Sequence, residues 1–195
     1  MTPLLSIATE RLLLRASDPA LADAAAAFYS RNREAHGRWN PSLPDAMFSS
    51  EGQRERLAES AAAAEAGSGI GWWLFASVDP DTVLGQIHFS QIVRRAFCNA
   101  MLGYAIDAAH QGRGLMHEAL AATLDDAFSA RVGLHRVQAN VRPENTRSLR
   151  LLERLGFERE GLAREYLFID GAWRDHVMTA RRHPNWPIDR PPPPA

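Results

Sequence analysis

Residues 100–116 read Ala100-Met101-Leu102-Gly103-Tyr104-Ala105-Ile106-Asp107-Ala108-Ala109-His110-Gln111-Gly112-Arg113-Gly114-Leu115-Met116. An apolar run of strand length passes into a loop with two glycines, and Met116, Leu120, Leu124 and Phe128 then recur every four residues, which puts them on one face of a helix. A glycine loop that opens a helix straight after a strand leaves backbone N–H groups unhindered at the positive end of the helix dipole, a natural seat for a phosphate. Two phosphate fingerprints do not fit: no Lys-Ser/Thr pair follows Gly114, and no third glycine completes G-x-G-x-x-G. Two glycines alone are equally compatible with a tight strand-to-helix turn that holds no ligand.

Outward from this stretch the period alternates between strand and helix. Upstream, residues 8–15 read as a short apolar strand, Ser17 or Asp18 with Pro19 as a helix start, and residues 20–33 as a helix. Asn40-Pro41-Ser42-Leu43-Pro44 interrupts, and residues 51–66 form a second helix ended by Gly67-Ser68-Gly69. Residues 72–78 and 83–93 are expected to be paired strands turning at Asp79-Pro80-Asp81, with Trp72 and Trp73 facing opposite sides. Downstream, residues 134–141 are a strand, and a helix through Leu149, Leu152 and Leu155 stops at Gly156. Residues 166–169 and 173–180 flank Asp170-Gly171, a type I′ hairpin signal. Residues 1–186 are expected to form a single domain and residues 187–195, rich in proline, a disordered tail that Trp186 anchors.

The 195 residues carry 22 Lys+Arg against 23 Asp+Glu and one cysteine. Near-neutrality argues against direct, non-specific nucleic-acid binding, which needs a basic footprint. Cys98, having no second cysteine, cannot form an internal bridge, so a reducing, cytoplasmic setting is expected. The apolar runs are too short to span a bilayer, and no membrane association is expected. His117-Glu118 lacks the second histidine of H-E-x-x-H, so no metal site is expected. Cys98 reads better as a buried strand thiol than as an acyl-carrying nucleophile.

Gln111-Gly112-Arg113-Gly114-Leu115-Met116 resembles the acetyl-CoA signature of the GNAT (Gcn5-related) N-acetyltransferases, Gln/Arg-x-x-Gly-x-Gly/Ala, with Met116 in place of the usual small residue. Asn145-Thr146-Arg147-Ser148 followed by Leu151-Leu152-Glu153-Arg154-Leu155-Gly156-Phe157 is similar to the second block of that family. Residues 9–15 and 166–176 further resemble the ribosomal-protein-alanine acetyltransferases of the RimJ/RimL group, and Trp173-Arg174-Asp175-His176 together with Gly114-Leu115-Met116 is similar to the RimJ type in particular. The resemblance covers about residues 8–186 and implies a GNAT α/β fold: a mixed twisted sheet with a splayed central strand pair and helices on both faces.

The same resemblance implies acetyl-CoA as co-substrate, its pyrophosphate on the backbone of Gln111, Gly112, Arg113, Gly114, Leu115 and Met116, and its pantetheine along Tyr104 and Ile106. It implies that the Tyr104 N–H polarises the thioester carbonyl, that Asn145 bonds the CoA arm, and that Ser148 assists the departing sulfur. Gly103 is the expected site of a strand bulge. Asn145 has an alternative reading as a simple helix cap. For the base, a water chain comes first, with Glu165 as the candidate carboxylate and His88 as a further contributor; only about a tenth of an α-amine (pKa ~7.7–8.0) is neutral at pH 7, yet that far exceeds the neutral share of a lysine. The implied activity is direct acetyl transfer to a protein N-terminal amine, a ribosomal-protein alanine above all. A small amine acceptor, or a catalytically silent acyl-CoA-binding or ribosome-assembly module, are the alternatives, and the sequence leaves the oligomeric state open.

Overall fold

The computed structural model describes residues 6–187 together with 189 and 191, so most of the proline-rich tail lies outside the described residues. Strands β1 (Ser6–Ala8), β2 (Leu12–Ala16), β3 (Ile70–Ala76), β4 (Asp79–Val93), β5 (Asn99–Ile106), β6 (Arg136–Val141), β7 (Glu158–Ile169) and β8 (Ala172–Arg182) form a sheet in the order β1-β2-β3-β4-β5-β6-β8-β7. The β5–β6 pairing is parallel, and it spans just three residue pairs, Asn99↔Arg136 to Met101↔Gln138. Past Met101 the two strands part.

Helices α4 (Leu115–Phe128) and α5 (Thr146–Arg154) pack Leu120, Leu124 and Leu152 on one face of the sheet against Leu12, Trp72, Ile87, Leu102 and Val137. Helices α1 (Ala22–Arg31) and α3 (Ser50–Glu65) pack Phe28 and Leu57 on the other, against Trp73, Phe75 and Val83. Trp72 and Trp73 thus face opposite sides, as strand alternation requires. The four residues spaced along α4 are all buried. The hairpin at Asp170-Gly171 has φ of 52° and 69°, both left-handed, as a type I′ turn demands.

Several boundaries differ from the sequence reading, including that of β7, which begins at Glu158 and not at 166. The expected strand at 8–15 is two strands, because Thr9-Glu10-Arg11 turns back on itself: the Thr9 N–H donates to Leu12 O at 2.9 Å, and Glu118 from α4 receives the Thr9 hydroxyl. The expected helix at 20–33 breaks at Asn32, whose buried amide ties Phe28 O to the Ala108 N–H, and a short helix α2 (Arg33–Gly37) follows. The β3–β4 turn sits at Ser77-Val78 rather than at Asp79-Pro80-Asp81; Asp79 Oδ1 accepts from the N–H groups of Asp81 and Thr82, folding that cluster into an irregularity at the start of β4.

Candidate active site

The end of β5 is bolted to α1 by a polar junction. Asp107 is buried; its carboxylate accepts from Arg31 Nε, from Asn32 Nδ2 at 3.3 Å and from the Ala109 N–H at 2.9 Å, while Arg31 also donates to Val83 O. Burial alone would raise the Asp107 pKa; hydrogen bonds from Arg31, Ala109 and Asn32, with the Arg31 charge, outweigh it and hold the carboxyl below its ordinary value. The Asp107 N–H donates to Leu84 O at 2.8 Å. Alternation along β5 therefore turns the amides of Gly103 and Ala105 toward β4 and those of Tyr104 and Ile106 toward the opening beside β6. Ile106 O meets His36 Nε2 of α2 at 2.9 Å, a contact with no signal in the sequence.

Gly103 is not a bulge. The β4–β5 register is regular from Gly85↔Ile106 to Ser90↔Met101, and the irregularity lies at Gln91-Ile92 of β4, where Gln91 has φ 50°. Gly103 is small for another reason: a Cβ there would lie 2.3 Å from the His88 ring, which rests on it. Burial, reinforced by the Arg56 cation, lowers the His88 pKa to about 4, so the ring is neutral at pH 7. The strands separate regardless, because β5 and β6 stop pairing.

Gly112 (φ 77°) and Gly114 (φ 78°) both take left-handed conformations, and Gly114 caps α4 without a side-chain acceptor. Glu118 N donates to Gly114 O at 3.1 Å, as the first turn of α4 closes; the N–H groups ahead of it have no helical partner. The side chains of Leu115 and Met116 are buried in the core, so this end of the helix offers backbone rather than side chains. Met116 therefore fills space beneath the loop. Arg11, Arg113 and Arg147 surround the loop: Arg11 donates to Arg113 O at 3.0 Å and Arg147 to Gln111 Oε1. Uncapped donors, left-handed glycines and nearby guanidiniums fit a pyrophosphate.

Glu118 is a residue the sequence reading passed over except to reject a metal. It receives the Thr9 hydroxyl at 2.6 Å, the Arg11 N–H at 2.8 Å and Arg11 Nε at 2.7 Å, which locks the β1–β2 turn beneath the loop. Its burial would raise its pKa, but bonds from Thr9 and Arg11 prevail and lower it. A carboxylate three residues into a helix is an ordinary dipole partner; the long-range contact to residues 9–11 is visible only in the fold.

On α5, Asn145 Oδ1 accepts the Ser148 N–H at 3.2 Å, so Asn145 caps its helix and keeps its Nδ2 for another partner. The Ser148 hydroxyl meets the Tyr104 phenol at 2.6 Å, beside the opening. Burial raises the Tyr104 pKa to about 12, against the smaller opposing effect of the Ser148 bond, so the phenol keeps its proton. Glu165 is exposed on edge strand β7 with φ 48°, its N–H held by Asp175 at 2.9 Å. Strands β8 and β6 intervene between it and β5. Its neighbour Tyr166 reaches inward instead, to Asn140 of β6. Cys98 is buried at the far end of β5, with Gly133 O at 3.3 Å. Trp39 lies between the guanidiniums of Arg38 and Arg142, 4.6 and 5.4 Å from its ring, and Arg142 donates to Arg38 O at 2.6 Å, tying the loop after α2 to the end of β6. Among the described residues no cluster of three His, Cys, Asp or Glu side chains suits a metal ion, and no helix is long and apolar enough to cross a membrane.

Residues 11–158 match the acetyltransferase (GNAT) domain family. The chain belongs to the GNAT acetyltransferases. This GNAT chain is 40% identical over 187 residues to the [ribosomal protein uS5]-alanine N-acetyltransferase of Escherichia coli, covering 94% of each. Its fold superposes with a TM-score of 0.89 on the ribosomal-protein-S5-alanine acetyltransferase of Vibrio fischeri, at 31% identity over 93% of this chain and 98% of that one. With Mycobacterium smegmatis RimJ, solved in complex with CoA-disulfide, the TM-score is 0.82 at 28% identity, covering 92% and 85%. The resemblance of Gln111 to Met116 to the family's acetyl-CoA signature implies that the loop braced by Glu118 faces CoA. Glu118→Gln is therefore expected to raise the acetyl-CoA KM about tenfold, the equivalent of one charge-assisted hydrogen bond, while kcat changes little; initial rates at varied acetyl-CoA check this, and an unchanged KM would show that the brace is irrelevant to binding.

Proposed function

We propose that this chain transfers the acetyl group of acetyl-CoA directly to the N-terminal amine of a protein, the alanine of a ribosomal protein of the uS5 kind, in the cytoplasm. The observation that carries the reading is the 40% identity to the E. coli uS5-alanine enzyme along 94% of both chains. The amine attacks the thioester carbonyl, the C–N bond forms, the C–S bond breaks, and the amine proton passes to water. In this reading, the backbone of Gln111 to Met116 receives the pyrophosphate, Tyr104 and Ile106 pair with pantetheine, and the Asn145 Nδ2 bonds the CoA arm.

In the same reading the Tyr104 N–H stabilises the developing oxyanion, a role that its orientation toward the opening supports. The neutral Tyr104 phenol can donate to Ser148 Oγ, which frees the serine O–H for the departing thiolate. That leaving group, with pKa about 8.5, needs modest help. Ser148→Ala is accordingly expected to lower kcat about a hundredfold, the low end of general acid catalysis, at saturating substrates; full turnover would remove Ser148 from the mechanism. Glu165, exposed and two strands away, suits the base role less than solvent does, and an α-amine makes little demand for one.

The acceptor is tested by incubating the protein with acetyl-CoA and Ala-initiated ribosomal peptides, Lys-only peptides with blocked N-termini, or small amines, and reading the products by mass spectrometry. Acetylation of the Ala-initiated peptide is expected. Preference for a small amine, or bound CoA with no acetylation anywhere, would overturn the reading.

A further inference from the structure

Asn140 stands one residue before the end of β6, beyond Gln138 where pairing with β5 ceases, and so on the edge that lines the opening. Alternation places its side chain on the face opposite Val137, Ala139 and Val141, which belong to the α4/α5 core. Asn140 Nδ2 donates to the phenol oxygen of Tyr166 at 3.0 Å, and the Tyr166 ring packs on His176 at 5.3 Å between centroids. With Nδ2 engaged by Tyr166, Oδ1 lies on the other arm of the planar amide. Oδ1 is buried and has no hydrogen-bond partner. Buried carbonyl oxygens are nearly always satisfied, and one left unpaired beside an opening is a strong acceptor in search of a donor. Asn99 Oδ1 is also unpaired, but Asn99 lies where β5 and β6 are still joined.

We infer that Asn140 Oδ1 is the seat of the acceptor amine: it accepts a hydrogen bond from the incoming N–H, aligning the nitrogen lone pair with the thioester, and Tyr166 holds the amide in that orientation. The inference rests on the acetyl-transfer reading above. An amide oxygen suits this task because it binds an N–H without taking its proton, leaving the proton to water.

Two-substrate initial-rate kinetics on the full chain test it, with the Ala-initiated peptide and acetyl-CoA varied separately. Asn140→Ala is expected to raise the peptide KM about tenfold, as loss of one hydrogen bond to a partly charged donor should, with the acetyl-CoA KM and the melting temperature unmoved. Tyr166→Phe shifts the peptide KM the same way but less, and adds nothing to Asn140→Ala. Asn140→Asp, which keeps an acceptor oxygen, restores the peptide KM. An unchanged peptide KM in Asn140→Ala, or equal changes in both KM values with a lowered melting temperature, overturns the inference. If the unsubstituted protein acetylates a small amine and no peptide, the ribosomal reading fails while the seat is read on that amine's KM; if it acetylates no amine, both fail.

Discussion

Asp107→Ala is expected to cost about 3–4 kcal/mol of folding stability, the low end for breaking a buried ion pair, because half-exposed Arg31 regains some water while its partners do not. The substitution strips acceptors from Arg31, Asn32 and the Ala109 N–H together, and the last also caps the short 3-10 turn Ala108–His110. For a chain of this size the melting temperature should fall by about 10 °C. Asp107→Asn, which retains one acceptor oxygen, should lose less. Because Asp107 follows directly on Ile106, the acetyl-CoA KM should rise in step with the loss. Urea titration measures the stability; a loss under about 1 kcal/mol would show that β5 is held by its sheet neighbours and not by this junction.

Acidification should destabilise the protein well before its carboxylates titrate. His88 has an ordinary pKa of 6.5 when unfolded and about 4 when folded. The unfolded chain therefore binds a proton that the folded chain refuses. The contribution of neutral His88 is full above pH 6.5, declines as pH falls, and is gone below about pH 4, a total of roughly 3 kcal/mol. Asp107 and Glu118, both lowered from their ordinary values, act in the next window down: their contribution is present above the ordinary carboxylate range and is lost as pH falls through their folded values. His88→Gln should flatten the stability profile between pH 6.5 and 4 and leave the lower window intact. Equal slopes in the two proteins, by urea titration at stepped pH, would mean that the ring is readily solvated.

The elements around the chemistry were legible because each has a local cause. The glycines at 112 and 114 permit left-handed backbone, the four-residue spacing from Met116 to Phe128 needs one helix face, and Asp170-Gly171 turns a hairpin by itself. Asn145 and Ser148 are a helical turn apart, so their shared side followed from spacing. Less local features were misread or missed. Gly103 looks like a bulge along one strand, yet its smallness answers a ring on the neighbouring strand. The break at Asn32 and the turn at residues 9–11 depend on Ala108 and Glu118, far away in sequence.

In the amino-acid sequence by itself, periodicity and backbone freedom set the strand, glycine turn and helix that end in α4, because those causes act within a few residues, while the two motifs that resemble the GNAT blocks implied the GNAT fold and pointed to Tyr104 and Ser148. Tertiary structure alone decided that the Tyr104 phenol touches Ser148, that Glu118 braces the loop, that Glu165 sits outside while Tyr166 turns in, and that Asn140 keeps an unpaired oxygen beside the opening. Those outcomes depend on which strands adjoin and where β5 and β6 cease to pair, and hydrogen bonds spanning tens of residues leave no periodic trace in the chain.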